Sequence, residues 1–206
     1  MDSRIMINGL TRPEDAALSL EFGATYLGCE LVPESPRCVS ASVAKDIFAP
    51  AVGQRAITKV LSFRGSTVEE VTEAAKEAGT RHVMVCDFLE SDAELLEKGG
   101  HTVYRVYEVP TGSNMLPPML PEPQRRRPAV LTTTSSVNDL TFPWEILGNQ
   151  APEATFIGGS VNPENVCALL THHPYGMIVN AGVEHELGIK DADRLALFFD
   201  TLVNGF

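Results

Sequence analysis

The sequence predicts a closed (β/α)8 barrel, and three observations carry that expectation. Eight short strand-like runs can be counted along the chain, with helical patterns between them. Their spacing is nearly even, as a repeated strand–helix unit requires. No Gly-x-Gly-x-x-Gly follows the first run, which weighs against the alternative, an open doubly wound sheet. With 206 residues and 44% hydrophobic composition, the chain can bury one core as a single domain over residues 1–206. That is compact beside the ~250 residues usual for such barrels.

Taken in order, residues 4–7 form the first strand, closed by the turn-type pair Asn8-Gly9. Thr11 is the expected N-cap of the next helix. Pro13, Glu14 and Asp15 stand in its first turn, where a fixed φ and negative charge both suit a helix start. Residues 25–31 are the second strand. A loop through Arg37 leads to a capped helix beginning at Ser40. The third strand covers residues 56–61 and is followed by Ser62-Phe63-Arg64-Gly65. Ser66 or Thr67 caps a helix over 68–78, which Gly79 closes. The fourth strand is 82–86, followed by a short helix over 91–98. The fifth strand is 102–107 and the sixth 129–133. A brief helix at 142–147 precedes the seventh strand at 155–157. Asn162-Pro163 opens the next helix, residues 177–179 are the eighth strand, and Asp191 caps the closing helix.

Residues 110–128 break this rhythm. Five prolines after Pro110 make a regular fifth helix improbable, so a Pro-rich loop or a single turn is expected in its place. The run Arg125-Arg126-Arg127 reads as a solvated link, with partner binding as the alternative.

Lys and Arg number 16 against 27 Asp and Glu, a formal charge of -11, which argues against a nucleic-acid or anionic-membrane surface. A local basic pocket for an anionic small molecule stays open. The four cysteines form no Cys-x-x-Cys pair, and no charged-then-apolar leader or long apolar run is present, so a reduced, cytoplasmic protein is expected. His172-His173 precedes Pro174 at an expected helix end, where a dipole contact is a better reading than a metal site. No metal and no cofactor is expected, and the assembly is expected to be a monomer or homodimer.

In this barrel class, chemistry sits at the carboxyl ends of the strands. Those ends hold Asn8, Glu30, Ser62 with Arg64, Cys86 with Asp87, Tyr107 with Glu108, residues 132–135, Gly158-Gly159-Ser160 and Asn180-Ala181-Gly182. The seventh and eighth are the most specific. Their glycines let backbone N–H groups approach an anion, and loops after strands seven and eight are the habitual phosphate cradle of such barrels. The plain alternative is that the glycines only relieve crowding. Gly158, Gly159, Asn180, Ala181 and Gly182 are therefore the candidate anion-binding residues.

The opening Gly9-Leu10-Thr11-Arg12-Pro13-Glu14-Asp15-Ala16 resembles the start of the phosphoribosylanthranilate isomerase family. The likeness spans nearly the full length. It is densest there and at Ser35-Pro36-Arg37, residues 141–144, 158–166 and 182–191. The resemblance implies a phosphorylated small-molecule substrate, with Arg37 on its anthranilate end, since a guanidinium suits a planar carboxylate. A surface arginine is the alternative for Arg37.

It also implies a catalytic base and acid that this sequence lacks. The family's base is a cysteine where Asn8 stands, and an amide has no pKa useful for proton abstraction. The family's acid is an aspartate ending strand six, where the chain runs Leu131-Thr132-Thr133-Thr134. The family's lysine two residues before the cysteine is Met6 here. At strand four, Met84, Cys86 and Asp87 replace a glutamine, a histidine and a glycine. At strand eight, Ile178, Asn180 and Ala181 replace an aspartate and two serines.

The rim positions Asn8, Arg37, Cys86, Asp87 and Thr133 are the candidates for a rebuilt site. Cys86 has the alternative of a small core residue, and Glu30 that of an exposed loop carboxylate. Arg105 and Tyr107 share a strand face, though Arg105 also suits a structural ion pair. Three functions follow. The first is an isomerisation, cyclisation or elimination on an anionic or aromatic small molecule. The second is a non-catalytic ligand-binding or protein-interaction module, favoured if Met6, Met84 and Ile178 fill the mouth. The third is the family's own isomerisation by substitute groups.

Overall fold

A strand with both faces covered must be apolar nearly throughout, because successive side chains point to opposite sides. The short runs of this chain meet that condition. The computed structural model describes residues 4–110, 112–119, 128–133 and 142–204. In it β1 (Arg4–Ile7), β2 (Tyr26–Glu30), β3 (Thr58–Arg64), β4 (His82–Cys86), β5 (Thr102–Val109), β6 (Ala129–Thr133), β7 (Thr155–Ile157) and β8 (Gly176–Val179) form one closed parallel barrel. Pairing of β1 with β8, from Arg4 opposite Gly176 to Ile7 opposite Val179, closes the ring and excludes the open sheet. α1 (Pro13–Phe22), α2 (Ala41–Ile47), α3 (Val68–Ala78), α4 (Glu90–Lys98), α5 (Val166–Leu170) and α6 (Ala192–Asn204) pack outside it.

Period-two alternation splits the core. Met6, Val60, Met84, Tyr104, Val130, Phe156 and Ile178 fill the barrel interior. Tyr26 and Tyr175 meet the Phe156 ring edge-on. The alternate residues, such as Ile7, Leu27, Leu61 and Val83, join the layer between strands and helices. Arg105 belongs to that outer side. Its guanidinium holds Glu90 (2.7 Å) and Glu97 (2.8 Å) of α4, so it is a structural clasp and not a group of the mouth.

Several local expectations hold. Thr67 and Glu70 form a capping box, Ser40 caps α2, and Asp191 Oδ1 accepts from Arg194 N (2.9 Å). Residues 112–119 contain no helix, while residues 111 and 120–127, with Arg125 to Arg127, lie outside the described residues.

Others need correction. β3 runs on to Arg64, so Ser62 and Arg64 stand on a strand end and not in a loop. Asn162 and Asn165 exchange side-chain-to-backbone bonds (2.8 and 3.0 Å), and α5 proper starts only at Val166. Thr11 does not cap α1. The residue before that helix is Arg12, with no side-chain cap bond. Thr11 Oγ1 instead donates to Gly188 O (2.5 Å), and Asp15 Oδ2 accepts from Lys190 N (3.0 Å). Both bonds grip a small antiparallel hairpin, β9 (Glu184–Glu186) and β10 (Ile189–Lys190). The opening motif is thus a clasp for a segment near the other end of the chain.

Candidate active site

The strand ends converge on a cavity of about 460 Å³ at the barrel mouth. Asn8, Arg37, Cys86, Thr133, Gly158, Gly159, Asn180 and Ala181 all line it, with Glu30, Ser62, Arg64 and Glu108. Met6 is fully buried beneath, and Met84 and Ile178 form part of the floor, so apolar side chains do not fill the mouth. Two candidates lie elsewhere. Asp87 points to a shallow depression beside the starts of α3 and α4. Gly182 packs under the loop after β7, where an added Cβ would lie 2.0 Å from Val161 O. Its lack of a side chain serves that close approach.

Glu30 is the hub. Its Oε1 accepts from Asn8 Nδ2 (2.9 Å) and from Asn180 Nδ2 (2.9 Å), and its Oε2 from Ser35 Oγ (2.5 Å). Three donors from β1, the β8 end and the β2–α2 loop therefore hold one carboxylate in the cavity. Gly28 makes this possible, because a Cβ there would lie 2.1 Å from Asn8 Oδ1.

Beside it runs a buried ion network. Arg37 Nε and Nη2 donate to the two carboxylate oxygens of Glu184 (2.8 and 2.6 Å), with both side chains at most 6% exposed. Such a two-pronged pair is among the strong charge-assisted contacts. Lys190 Nζ, fully buried, donates to Glu184 (2.8 Å) and to Asn180 Oδ1 (3.1 Å) and O (3.2 Å). That bond turns the Asn180 amide so that its Nδ2 faces Glu30. Burial by itself raises the Glu184 pKa, but Arg37 and Lys190 outweigh it and the net shift is downward. Burial lowers that of Lys190, with Glu184 opposing. The alternative of a surface Arg37 is excluded. Glu184 and Lys190 had no role in the sequence reading, although both stand in a stretch that carries the family likeness.

On the β3–β5 side, Arg64 pairs with Glu108 (2.6 Å) and with Asp87. Asp87 has a φ of 59° and a side chain 60% exposed. The Cys86 thiol is pushed up to about 12, by burial first and then by the Glu108 charge, while Arg64 pulls the other way. A thiol so placed stays protonated near neutrality and is no ready base or nucleophile. Single ligand atoms of Cys86, Asp87 and Glu108 lie within 4.8 Å of one another. Arg64 already supplies the positive charge there.

At β6, Thr132 shares the inward register with Val130. Its Oγ1 is 3.3 Å from where a Gly158 Cβ would stand, while Thr133 lays its methyl beside Gly159. Residues 134–141 lie outside the described residues. Gly158 donates its N–H to Leu131 O (2.8 Å) in the ladder, so any anion must rely on Gly159 and the turn after β8. That turn is a single 3-10 turn, Ala181–Val183, followed directly by the hairpin.

The family described as N-(5'phosphoribosyl)anthranilate (PRA) isomerase matches residues 5–201. The chain is 31% identical over 214 residues to N-(5'-phosphoribosyl)anthranilate isomerase of Methanopyrus kandleri, covering 95% of this chain and 96% of that protein. It is 27% identical over 195 residues to the tryptophan biosynthesis protein TrpCF of Yersinia pestis, where it spans only 40% of the longer protein. The phosphoribosyl anthranilate isomerase structure from Thermus thermophilus superposes with a TM-score of 0.83 at 26% identity, over 98% of this chain and 100% of that one. No helix among the described residues is long and apolar enough to cross a membrane. By sequence along nearly its whole length and by the closed barrel, the chain belongs to the N-(5'-phosphoribosyl)anthranilate isomerase family.

Proposed function

We propose that the chain is an enzyme acting on a phosphorylated small molecule at the barrel mouth, by proton transfer through Glu30. The observation that carries this reading is the Glu30 carboxylate, fixed by Asn8, Asn180 and Ser35 in the same cavity as Gly159 and Ala181. Asn8 cannot take a proton from carbon. It can hold a neighbouring carboxylate that does, and positioning of that kind is what general-base catalysis needs. The reaction is an isomerisation: a proton leaves one carbon of the bound ligand and returns to its neighbour, with no oxidant or reductant. Gly159 and Ala181 are the proposed phosphate contacts, through backbone N–H groups that need no charged side chain.

A second reading is the isomerisation for which the relatives are named, with Glu30 substituting for the family's base. The 31% identity to the Methanopyrus kandleri protein favours it. An assay with freshly made phosphoribosylanthranilate separates the two. The first reading expects kcat/KM at least ~10²-fold below an ordinary family member, because an acid and a base each contribute about 10²–10⁴-fold. Turnover within tenfold of a family member, or growth of an isomerase-deficient tryptophan auxotroph, establishes the second. Both fail together if inorganic phosphate leaves the Gly159 and Ala181 amide resonances unmoved.

A further inference from the structure

A proton on carbon can be removed only when the electron pair it leaves has somewhere to go. In an isomerisation that shifts a proton between neighbouring carbons, that place is the oxygen of an adjacent carbonyl. The site must then hold the negative charge that develops on this oxygen. Glu30 is the base of the proposed reaction, so the partner of the oxygen has to stand near it.

Arg64 meets that condition. Ser62 is the ladder partner of Glu30 across β2 and β3, and Arg64 stands two residues further along β3 on the same face. Glu30 and Arg64 both line the mouth cavity. The guanidinium is held at one end. Nη2 and Nη1 donate to Glu108 (2.6 and 3.4 Å), and Nη1 donates also to Asp87. Its other edge, formed by the Nε–H and the second hydrogen of Nη2, has no partner among the described residues. By that same edge other arginines of this chain grip two oxygens at once: Arg12 on Asp15, Arg37 on Glu184 and Arg105 on Glu90. At Arg64 it is left open, on a side chain 38% exposed at the cavity. The Glu108 hydrogen bond raises the Arg64 pKa, so the group is a fixed cation that stabilises charge and does not give up a proton.

We propose that Arg64 is a second catalytic residue of the mouth, whose Nε–Nη2 edge holds the two oxygens of an α-hydroxy carbonyl ligand while Glu30 moves the proton between their carbons. Glu30 takes the proton from the carbinol carbon. The electron pair of that C–H bond becomes the double bond of an enediolate, and the charge rests on the former carbonyl oxygen. The hydroxyl proton passes to that oxygen. Glu30 then returns its proton to the former carbonyl carbon as the new carbonyl forms at the other one. No oxidant or reductant takes part. A neutral carbonyl gains less from the guanidinium than the enediolate does, so the contact favours the transition state over the bound ligand. The proposal rests on the reading of the mouth as a phosphorylated-ligand isomerase with Glu30 as base, and it names the substrate class of that site, an α-hydroxy carbonyl phosphate.

Calorimetry and amide resonances of the full chain test it with three probes: inorganic phosphate, D-arabinitol 5-phosphate and 5-phospho-D-arabinonate. β3 stands opposite β7 in the ring, so the two sugar probes carry a five-carbon chain to reach across the mouth. They differ in a terminal hydroxymethyl against a carboxylate, whose two planar oxygens stand in for those of the enediolate. 5-Phospho-D-arabinonate should bind at least about tenfold tighter, since a carboxylate on a guanidinium edge is a two-pronged, charge-assisted contact. Arg64→Gln should cut that preference at least about fivefold, while the shifts that inorganic phosphate induces in the Gly159 and Ala181 amide resonances are retained. Glu108 and Asp87 are 22% and 60% exposed, so they stay solvated without the arginine. Arg64→Lys keeps the charge without the fork, and its preference should fall between the two.

An unchanged preference in Arg64→Gln, with the amide shifts retained, overturns the proposal, because the carboxylate is then held elsewhere. So does equal or weaker binding of 5-phospho-D-arabinonate by the unaltered chain, and the phosphate-site reading survives that result if inorganic phosphate still shifts the two amides. If inorganic phosphate shifts neither amide, the phosphate-site reading fails first and the proposal falls with it.

Discussion

Asn8 carries an amide, which can orient its neighbours but cannot take a proton from them. Its amide has one hydrogen on Glu30 and its oxygen over Gly28, and that oxygen explains the glycine. Gly28→Ala should push Asn8 off Glu30 and destabilise the chain by about 1–3 kcal/mol, as over-packing of a filled site does. A shift of the urea midpoint with an unchanged slope is the expected result. Cys86 makes the opposite case, a reactive type made inert. With its thiol pushed up to about 12, the folded state holds that proton more tightly than the unfolded chain, whose thiol sits near 9.0. Its contribution to stability is therefore fully present below the ordinary thiol pKa and is lost as pH rises towards 12. At about pH 8, alkylation of Cys86 in the folded protein should run at least about tenfold slower than in concentrated guanidinium. Mass spectrometry of the Cys86 peptide gives both rates, and comparable rates would show an accessible thiolate.

The hairpin of β9 and β10 carries the least expected part of the site. It is tied to Thr11 and Asp15 by two bonds, and it delivers Glu184 to Arg37 and Lys190 to Asn180. Lys190→Met removes a buried cation, leaves Glu184 with Arg37 alone and releases the Asn180 amide. The expected cost is about 3–5 kcal/mol in urea unfolding, with weaker ligand binding because Glu30 loses a fixed donor. Thr67→Ala, which removes the N-cap of α3, should cost only about 1 kcal/mol and leave ligand binding unchanged. A Lys190→Met chain as stable as the Thr67→Ala one would mean that the ion network is not closed in solution. Caps such as Thr67 and Asp191 were legible because the cap and its helix adjoin in sequence. The hairpin was not, because its strands are three and two residues long and too short for a period to show.

At the scale of the whole molecule, acid should open the site from the network outward. Glu184 has a depressed folded pKa, so its pairing stabilises the chain fully above the ordinary carboxylate value of 4.5 and less as pH falls through the lower folded value. The melting temperature should hold from neutrality down to that range and then decline. In Glu184→Gln the decline should be shallower, and an identical profile would show that the pair does not govern acid unfolding. The eight strands, their parallel closure and the residues at their carboxyl ends were all determined by the sequence, because periods of two and 3.6 and the glycine and proline stops are local quantities. So was the amide at position 8, which the sequence states directly. Only the tertiary structure decided what those residues face. Arg37 and Glu184 lie 147 residues apart, and Asn180 and Glu30 lie 150 apart. No repeat or propensity connects such pairs, since their attraction acts through space once the ring has closed. The inward or outward sense of Asp87, Arg105, Thr132 and Gly182 was fixed the same way, by which side of a strand end the closed barrel left open to the mouth.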